Sequence, residues 1–330
     1  MRVALDAMGG DHAPAAEVAG AVAAARIYGI EVLLVGRRGA IAAELARQET
    51  KGLKLAIVEA ESVVDMHEAD PARAVRQKPD SSLVRAFGLV REGRAEACVS
   101  AGNTGAFMAA ALFELKRVPG VERPAIGIVM PTPRGRVLLL DIGANVDSKP
   151  EYLAQFGLMG AVYLEHVFKM GRPRVGLLSI GEEPSKGNQL VQQAYPLLQQ
   201  MPINFIGNIE GKDIFSDLAD VVVCDGFVGN VALKLTEGLA ATISRMLREE
   251  LTANPVRRLL AAGLRGAFRD LRGRMDYAEY GGAPLLGVNG VCIVAHGRSS
   301  PYAIQHALRA AAEGVEHRVP DRLRDAIARQ

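Results

Sequence analysis

Short apolar runs alternate with stretches of helical periodicity along almost the whole chain. Val3–Leu5, Val32–Val35, Leu53–Val58, Ala97–Ser100, Ala125–Met130, Arg136–Leu140, Val175–Ser179, Ile203–Ile206, Val221–Cys224 and Val291–Ala295 read as strands, several apolar enough for burial on both faces. Helical spacing fills most of the intervals, at Ala15–Tyr28, Ser81–Arg91, Thr104–Lys116, Glu151–Phe168, Gly187–Leu198, Gly229–Leu251 and Pro301–His317. Strands separated by helices predict βαβ units, and so an α/β fold with a mostly parallel, doubly wound, three-layer sheet. The pair Ala125–Met130 and Arg136–Leu140 has no helix between its strands. Its Pro-Thr-Pro-Arg-Gly connection predicts a hairpin and some antiparallel pairing. The chain has neither a solenoid-length repeat nor a low-complexity linker. Residues 1–330 are therefore expected to form one domain of two lobes sharing a sheet.

The polar positions gather where these strands end. Behind Val3–Leu5 come Asp6, Gly9, Gly10, Asp11 and His12, then Pro14, which suits the first turn of a helix. Open α/β sheets bind ligands where a strand's carboxyl end feeds a helix. A turn alone would use the glycines for positive φ and Asp11 as a cap. It would have no use for Asp6 and His12 together, so these two are candidate catalytic groups. Four more strand ends repeat the signature. One carries Ser100, Gly102, Asn103, Thr104 and Gly105. A second runs from Asp141 to Pro150 with Asn145 and Lys149, and a third from Ser179 to Asn188 with Lys186 and Asn188. The fourth runs from Asp225 to Asn230 and includes Gly229. Each offers backbone N–H groups, hydroxyls or amides at a helix N-terminus, where orphan donors and the helix dipole favour an anion. Lys149, Lys186 and Lys234 add positive charge. Any one of these loops is equally a cap or a turn; five at the ends of parallel strands are expected to face a single cleft.

No nucleotide fingerprint is present, neither Gly-x-x-x-x-Gly-Lys-Ser/Thr nor Gly-x-Gly-x-x-Gly after the first strand. Phosphate recognition without a nucleotide points to free phosphate, a phosphoester or an acyl phosphate. A competing reading gathers Asp6, Asp11, His12, Asp141, Asp147 and Asp225 as ligands for Mg²⁺; lone carboxylates at strand ends more often cap helices or fix lysines, so no metal is expected.

Composition narrows the classes. A formal net charge of +2 over 330 residues gives no global field for nucleic acid. The 49% hydrophobic content is ample for a core. Cys98, Cys224 and Cys292 lie far apart within or beside apolar runs, which predicts reduced, buried thiols in a cytoplasmic protein. No secretory signal and no membrane-spanning run is read. One segment is locally basic. On a helix over Pro255–Met275, Leu260, Leu264, Phe268, Leu271 and Met275 would share one face, with Arg258, Arg265, Arg269 and Arg272 on another. Such a stripe serves a solvated surface helix, an acidic protein or an anionic membrane equally well.

The loops also carry a resemblance. Leu-Asp-Ala-Met-Gly-Gly-Asp, Ser-x-Gly-Asn-Thr-Gly-Ala, Leu-Asp-Ile-Gly-Ala-Asn, Ser-Ile-Gly-Glu-Glu-x-x-Lys-Gly-Asn, Asp-Gly-Phe-Val-Gly-Asn and Pro-Leu-Leu-Gly-Val-Asn-Gly together resemble the PlsX-type phosphate acyltransferases of bacterial phospholipid synthesis, along essentially the whole chain. The resemblance implies reversible conversion of fatty acyl-[acyl carrier protein] and inorganic phosphate to acyl phosphate, without a cofactor. It also implies delivery of the product to a membrane glycerol-phosphate acyltransferase. A homodimer with an isopropylmalate-dehydrogenase-like fold, related to phosphotransacetylases and peripherally membrane-associated through amphipathic helices, goes with it. The residues suit that chemistry: His12 to shuttle a proton, Asp6 or Asp11 to orient it, and an amide such as Asn103 or Asn230 for the oxyanion. Gly9 and Gly10 join the phosphate-binding candidates. A coenzyme A-dependent short-chain phosphotransacylase, a metal- and NAD-dependent hydroxyacid dehydrogenase and a non-enzymatic membrane scaffold remain alternatives.

Overall fold

The computed structural model describes residues 1–264, 266, 267, 273 and 281–330. Its strands are β1 (Arg2–Asp6), β2 (Glu31–Gly36), β3 (Leu55–Glu59), β4 (Ala97–Ser100), β5 (Ala125–Pro131), β6 (Arg136–Leu140), β7 (Arg174–Leu178), β8 (Asn204–Ile209), β9 (Val221–Val223), β10 (Ala283–Leu286) and β11 (Val291–Val294). The helices are α1 (Ala15–Tyr28), α2 (Arg38–Leu45), α3 (Pro71–Gln77), α4 (Ser82–Arg91), α5 (Thr104–Glu114), α6 (Pro150–Val167), α7 (Gln189–Gln200), α8 (Gly226–Thr252), α9 (Pro255–Gly263), α10 (Pro301–Glu316) and α11 (Val319–Ile327). Among the described residues the strands form one continuous sheet in the order β3-β2-β1-β4-β11-β10-β5-β6-β9-β7-β8.

Burial on both faces explains the apolar runs. Along β2, Val32 and Leu34 pack under α1 and α10 with Val18, Ala21 and Ile304, whereas Leu33 and Val35 face α4 and α5. There Phe87 and Phe107 meet edge to face, their ring centroids 4.9 Å apart. The other half repeats the arrangement. Leu138, Leu140, Val175 and Val223 lie under α6, α7 and α11, and Val137, Leu139 and Val222 face the 3₁₀ turn at Gly211–Phe215 and the start of α8. The Pro131–Gly135 connection makes the expected hairpin, β5 antiparallel to β6 with Gly127 opposite Leu140.

Every strand read from the sequence is present, with ends shifted by a few residues. One strand and three helices escaped the reading. β10 is four residues long, contains Pro284 and pairs antiparallel on both sides, so no helix announces it. α2 and α3 are short and bury few side chains, and α11 follows α10 after only His317 and the left-handed Arg318.

Strand direction has a consequence for the loops. β1, β2, β3, β4 and β11 run one way; β10 reverses, β5 returns, and β6, β9, β7 and β8 reverse again. The loops after β1, β4 and β11 therefore leave one edge of the sheet, and those after β6, β7 and β9 leave the other. This corrects the expectation that all five glycine loops share one edge. The hairpin and β10 are what invert the second half.

Candidate active site

On the first edge, Asp6 ends β1 with 2% of its surface exposed. Its Oδ2 accepts from Ser100 Oγ at 2.7 Å and its Oδ1 from the Met8 N–H at 3.2 Å. The Ser100 oxygen in turn accepts from the Gly102 N–H at 3.0 Å. Burial pushes the Asp6 carboxyl above its ordinary range. Gly9 and Gly102 let the two loops close over this chain of bonds, since a Cβ on Gly9 would stand 2.4 Å from Asp6 Oδ2. Asn103 caps α5 through Oδ1 to the Ala106 N–H and donates Nδ2 to the Met66 carbonyl. Its amide is engaged by the fold, and what faces solvent is Thr104 and Gly105, at the first turn of α5 with backbone donors the helix does not use. Asp11 does not cap α1, whose N-cap is Pro14 without a side-chain bond. Asp11 and His12 are exposed at the rim of the turn.

A third loop on this edge escaped the sequence reading. Ala295 N–H donates to the Ser100 carbonyl, and the Gly297 carbonyl accepts from the Asp11 N–H at 2.8 Å. Between them, His296 Nδ1 accepts from the Arg298 N–H, and Ser300 caps α10. Arg298 is exposed, and among the described residues no ion pair holds its guanidinium. The signal was available: Ala-His-Gly-Arg-Ser-Ser-Pro is again a strand end, a glycine, polar side chains and a proline opening a helix.

The second edge is built differently. Asp141 is fully buried at the end of β6, and five donors meet its carboxylate. Oδ1 accepts from the N–H groups of Ile126, Gly143 and Ala144, and Oδ2 from Asn145 N and Nδ2. Asn145 also donates to the Pro124 carbonyl, Asn188 Oδ1 caps α7 on Val191, and Asp225 caps α8 on Val228. These three side chains close their own loops. Gly229 permits the closest approach, since a Cβ there would lie 1.9 Å from the Asp141 carbonyl oxygen. Lys149, Lys186 and Asn230 are exposed along this edge, Asn230 beside Gly143, while Lys234 pairs with Glu237 at 2.9 Å.

The family model described as "Fatty acid synthesis protein" matches residues 1–322. A phosphate acyltransferase of Geobacter sulfurreducens is 53% identical over 323 residues, covering 98% of this chain and 93% of its own. The chain belongs to the phosphate acyltransferase family. A second member, from Desulfitobacterium hafniense, is 53% identical over 317 residues, 96% of this chain and 94% of that one. Among solved structures, a phosphotransacetylase of Streptococcus pyogenes superposes with a TM-score of 0.67 at 17% identity, over 96% of this chain and 94% of that one. A 4-hydroxythreonine-4-phosphate dehydrogenase of Klebsiella pneumoniae gives 0.56 at 13%, over 96% and 99%. Both likenesses are of fold, and they bear out the expected architecture. The protein is an enzyme of fatty acid and phospholipid synthesis.

For a phosphate acyltransferase, the separation of the edges raises the question of a common groove. Six strand steps part β1 from β9. At roughly 20–25° of twist per step, the sheet turns about 120–150° between them. Twist of that size brings the reversed strand directions back to within roughly 30–60° of one another. The six metal-ligand candidates do not gather: Asp141 and Asp225 spend oxygens on backbone donors at the second edge, away from Asp6. Among the described residues no group of three or more His, Cys, Asp or Glu is placed to hold a metal. A cavity of about 400 Å³ lies elsewhere, between Glu59, Glu61, Asp80 and Arg85, whose acidic walls suit phosphate poorly. Cys98, Cys224 and Cys292 are free and buried, and burial raises all three thiols.

The basic segment is not one uninterrupted helix. α9 ends at Gly263 with Leu264 in the following turn, so the helix expected over Pro255–Met275 is interrupted there. Arg258 and Leu264 are exposed; Arg265, Phe268, Arg269 and Arg272 lie outside the described residues. The helix expected at Gly229–Leu251 is α8, but its exposure was not read from the sequence: it buries only Gly226, Gly229 and Leu233 and exposes Phe227, Val231, Leu235, Leu239 and Ile243. Among the described residues no helix is long and apolar enough to cross a membrane.

Proposed function

We propose that this enzyme transfers a fatty acyl group reversibly from the thioester of acyl carrier protein to inorganic phosphate, giving acyl phosphate and free carrier. The observation that carries the reading is the 53% identity to phosphate acyltransferases over nearly the whole chain. The geometry of the first edge agrees with it. Phosphate sits at the first turn of α5, on the backbone donors of Thr104 and Gly105, with Arg298 as its counter-charge. Ser100, Gly102, Gly9 and Gly10 shape the floor. Asn103 acts by presenting that turn, through the cap on Ala106.

Hydrogen phosphate is already a nucleophile at neutral pH, so the site's work is placement and charge neutralisation. A phosphate oxygen attacks the thioester carbon, the C–S bond breaks, and the proton given up by the phosphate passes through His12 to the leaving thiolate. No external acid is consumed, and no cysteine nucleophile is needed. Asn230 is proposed to face the oxyanion across the groove. Lys149 and Lys186, with the loops of Asn145, Asn188, Asp225 and Gly229 supporting them, receive the acidic carrier protein. The apolar stripe of α8 is the contact between two copies in a homodimer. α9 with Arg258 and Leu264, continued by the arginines beyond, lies against the anionic membrane, where acyl phosphate passes to a glycerol-phosphate acyltransferase. The site is cytoplasmic in this reading.

Thiol release from acyl carrier protein, with and without phosphate, tests the assignment. Phosphate-dependent release is expected, with acyl-coenzyme A a far weaker donor. Release independent of phosphate, or a preference for the coenzyme A thioester, would replace it with a thioesterase or a short-chain phosphotransacylase.

A further inference from the structure

The phosphate side carries an apparent contradiction: an anion is to bind beside carboxyl groups. Asp6 lies beneath Gly9, and Asp11 stands at the rim. A third, Glu17, occupies the first turn of α1 with only 1% of its surface exposed. Its Oε2 is buried without a hydrogen-bond partner. Its Oε1 lies directly against Gly10, where a Cβ would stand 2.2 Å from it and 3.4 Å from the Gly297 carbonyl. Glycine at position 10 is what makes room for that carboxyl. Glu17 thus sits against Gly10 of the β1–α1 turn, which the Asp11–Gly297 hydrogen bond joins to the Arg298 loop, and among the described residues no cation pairs with it.

We infer that Glu17 is a positioning residue of the phosphate side, which supports the turn as a neutral carboxylic acid and weakens phosphate binding when it ionises. The inference rests on the phosphate placement proposed above. Burial favours the neutral acid, and it pushes the carboxyl up to about 7. Its own backbone N–H opposes the shift, and the charges of Asp6 and Asp11 add to it. The other titratable or charged groups in the turn, the adjoining loop and α10 are His12, then His296 and Arg298, then Tyr302, His306, Arg309, Glu313 and Glu316. As a neutral acid Glu17 puts no charge beneath the turn; as a carboxylate it repels a phosphate bound above it. α1's dipole pulls the other way, since a first-turn carboxylate is favoured there. The lack of a partner for Oε2 decides the balance toward the neutral form.

The test is the phosphate KM of the parent and of Glu17→Gln from pH 6 to 8.5, in the full-length enzyme with acyl carrier protein as donor. Comparing the two at each pH cancels phosphate's own ionisation. The parent-to-variant KM ratio is expected to rise roughly three- to thirty-fold across the range, the order expected for one nearby partly screened charge, with the kcat ratio flat. A ratio independent of pH would overturn the inference. Ser100→Ala, run alongside, separates the two levels: if it leaves phosphate KM unchanged, the phosphate placement fails, whereas a raised KM with a flat Glu17→Gln ratio sinks only the role of Glu17. Should Glu17→Gln not fold, titration calorimetry of phosphate with the parent, in two buffers of different ionisation enthalpy, gives the same answer. At pH 8, where phosphate already carries both charges, fractional uptake of roughly 0.2–0.7 proton per phosphate is expected from its coupling to Glu17, and no uptake at pH 8 contradicts the proposal.

Discussion

Asp6 and Asp141 make a controlled comparison. Each is a buried aspartate at the last position of an apolar strand or just past it, each is followed by glycines, and burial raises both carboxyls. Yet Asp141 meets five donors from its own loop and from β5, and so is a knot that ties the loop after β6 to β5. Asp6 has a serine hydroxyl and one N–H, and next to it lies a glutamate with an empty oxygen. The same sequence signature therefore produces a structural anchor on one edge and, in our reading, a reactive floor on the other. What distinguishes them is whether the backbone spends the carboxylate, and a linear motif does not display that.

The comparison can be broken most forcefully at the anchor. Asp141→Ala would strand several buried N–H groups, and Gly229→Ala would drive a methyl into the Asp141 carbonyl. Each should cost roughly 3–5 kcal/mol, visible as a large fall in thermal midpoint. On the other edge, His12→Ala should lower kcat by about 10²–10⁴-fold. Because His12 is exposed, its stability should stay within about 0.5 kcal/mol of the parent. A stable protein from Asp141→Ala, or a destabilised one with normal turnover from His12→Ala, would exchange the roles of the two edges.

Glu17 gives a smaller effect with a defined sign. Its native carboxyl titrates at about 7 against an ordinary 4.5, so the folded state holds the proton more tightly than the unfolded chain does. Stability contributed by that proton is complete below about pH 4.5 and is lost as pH rises towards 7. Glu17→Gln should therefore stabilise the protein at pH 8, by up to about 3 kcal/mol, and bring no such gain at pH 4.5. Denaturant midpoints at the two pH values read this directly. The smallest effect belongs to the periphery: Arg258→Glu should weaken binding to anionic vesicles by about 1 kcal/mol at low salt, and by less at high salt.

Much of the fold was legible because a strand buried on both faces must be apolar throughout, as Leu33 and Leu34 show by facing opposite helical layers. β10 was not, since four residues including Pro284 carry no period. The loops were recognisable one by one, but their separation onto two edges was hidden, because direction depends on the β5–β6 hairpin and on that same unseen strand. Asn103, Asn145, Asn188 and Asp225 looked like ligand groups and turned out to be caps on Ala106, a Pro124 tie, and caps on Val191 and Val228. An amide reads the same in sequence whether it faces a ligand or a backbone. His296–Ser300 could have been found by asking the same question of β11 as of the other strands. Glu17 could not, because its burial beneath Gly10 is a product of tertiary packing.

The central claim is that phosphate belongs to the first edge and the carrier protein to the second. Steady-state thiol release with Arg298→Ala and Lys149→Ala, varying phosphate and acyl carrier protein independently, tests it most directly. Loss of a charge-assisted contact to phosphate should raise the phosphate KM of Arg298→Ala about tenfold or more and leave its carrier-protein KM within about twofold, with the reverse split for Lys149→Ala. A phosphate KM that moves in Lys149→Ala and not in Arg298→Ala would contradict the account.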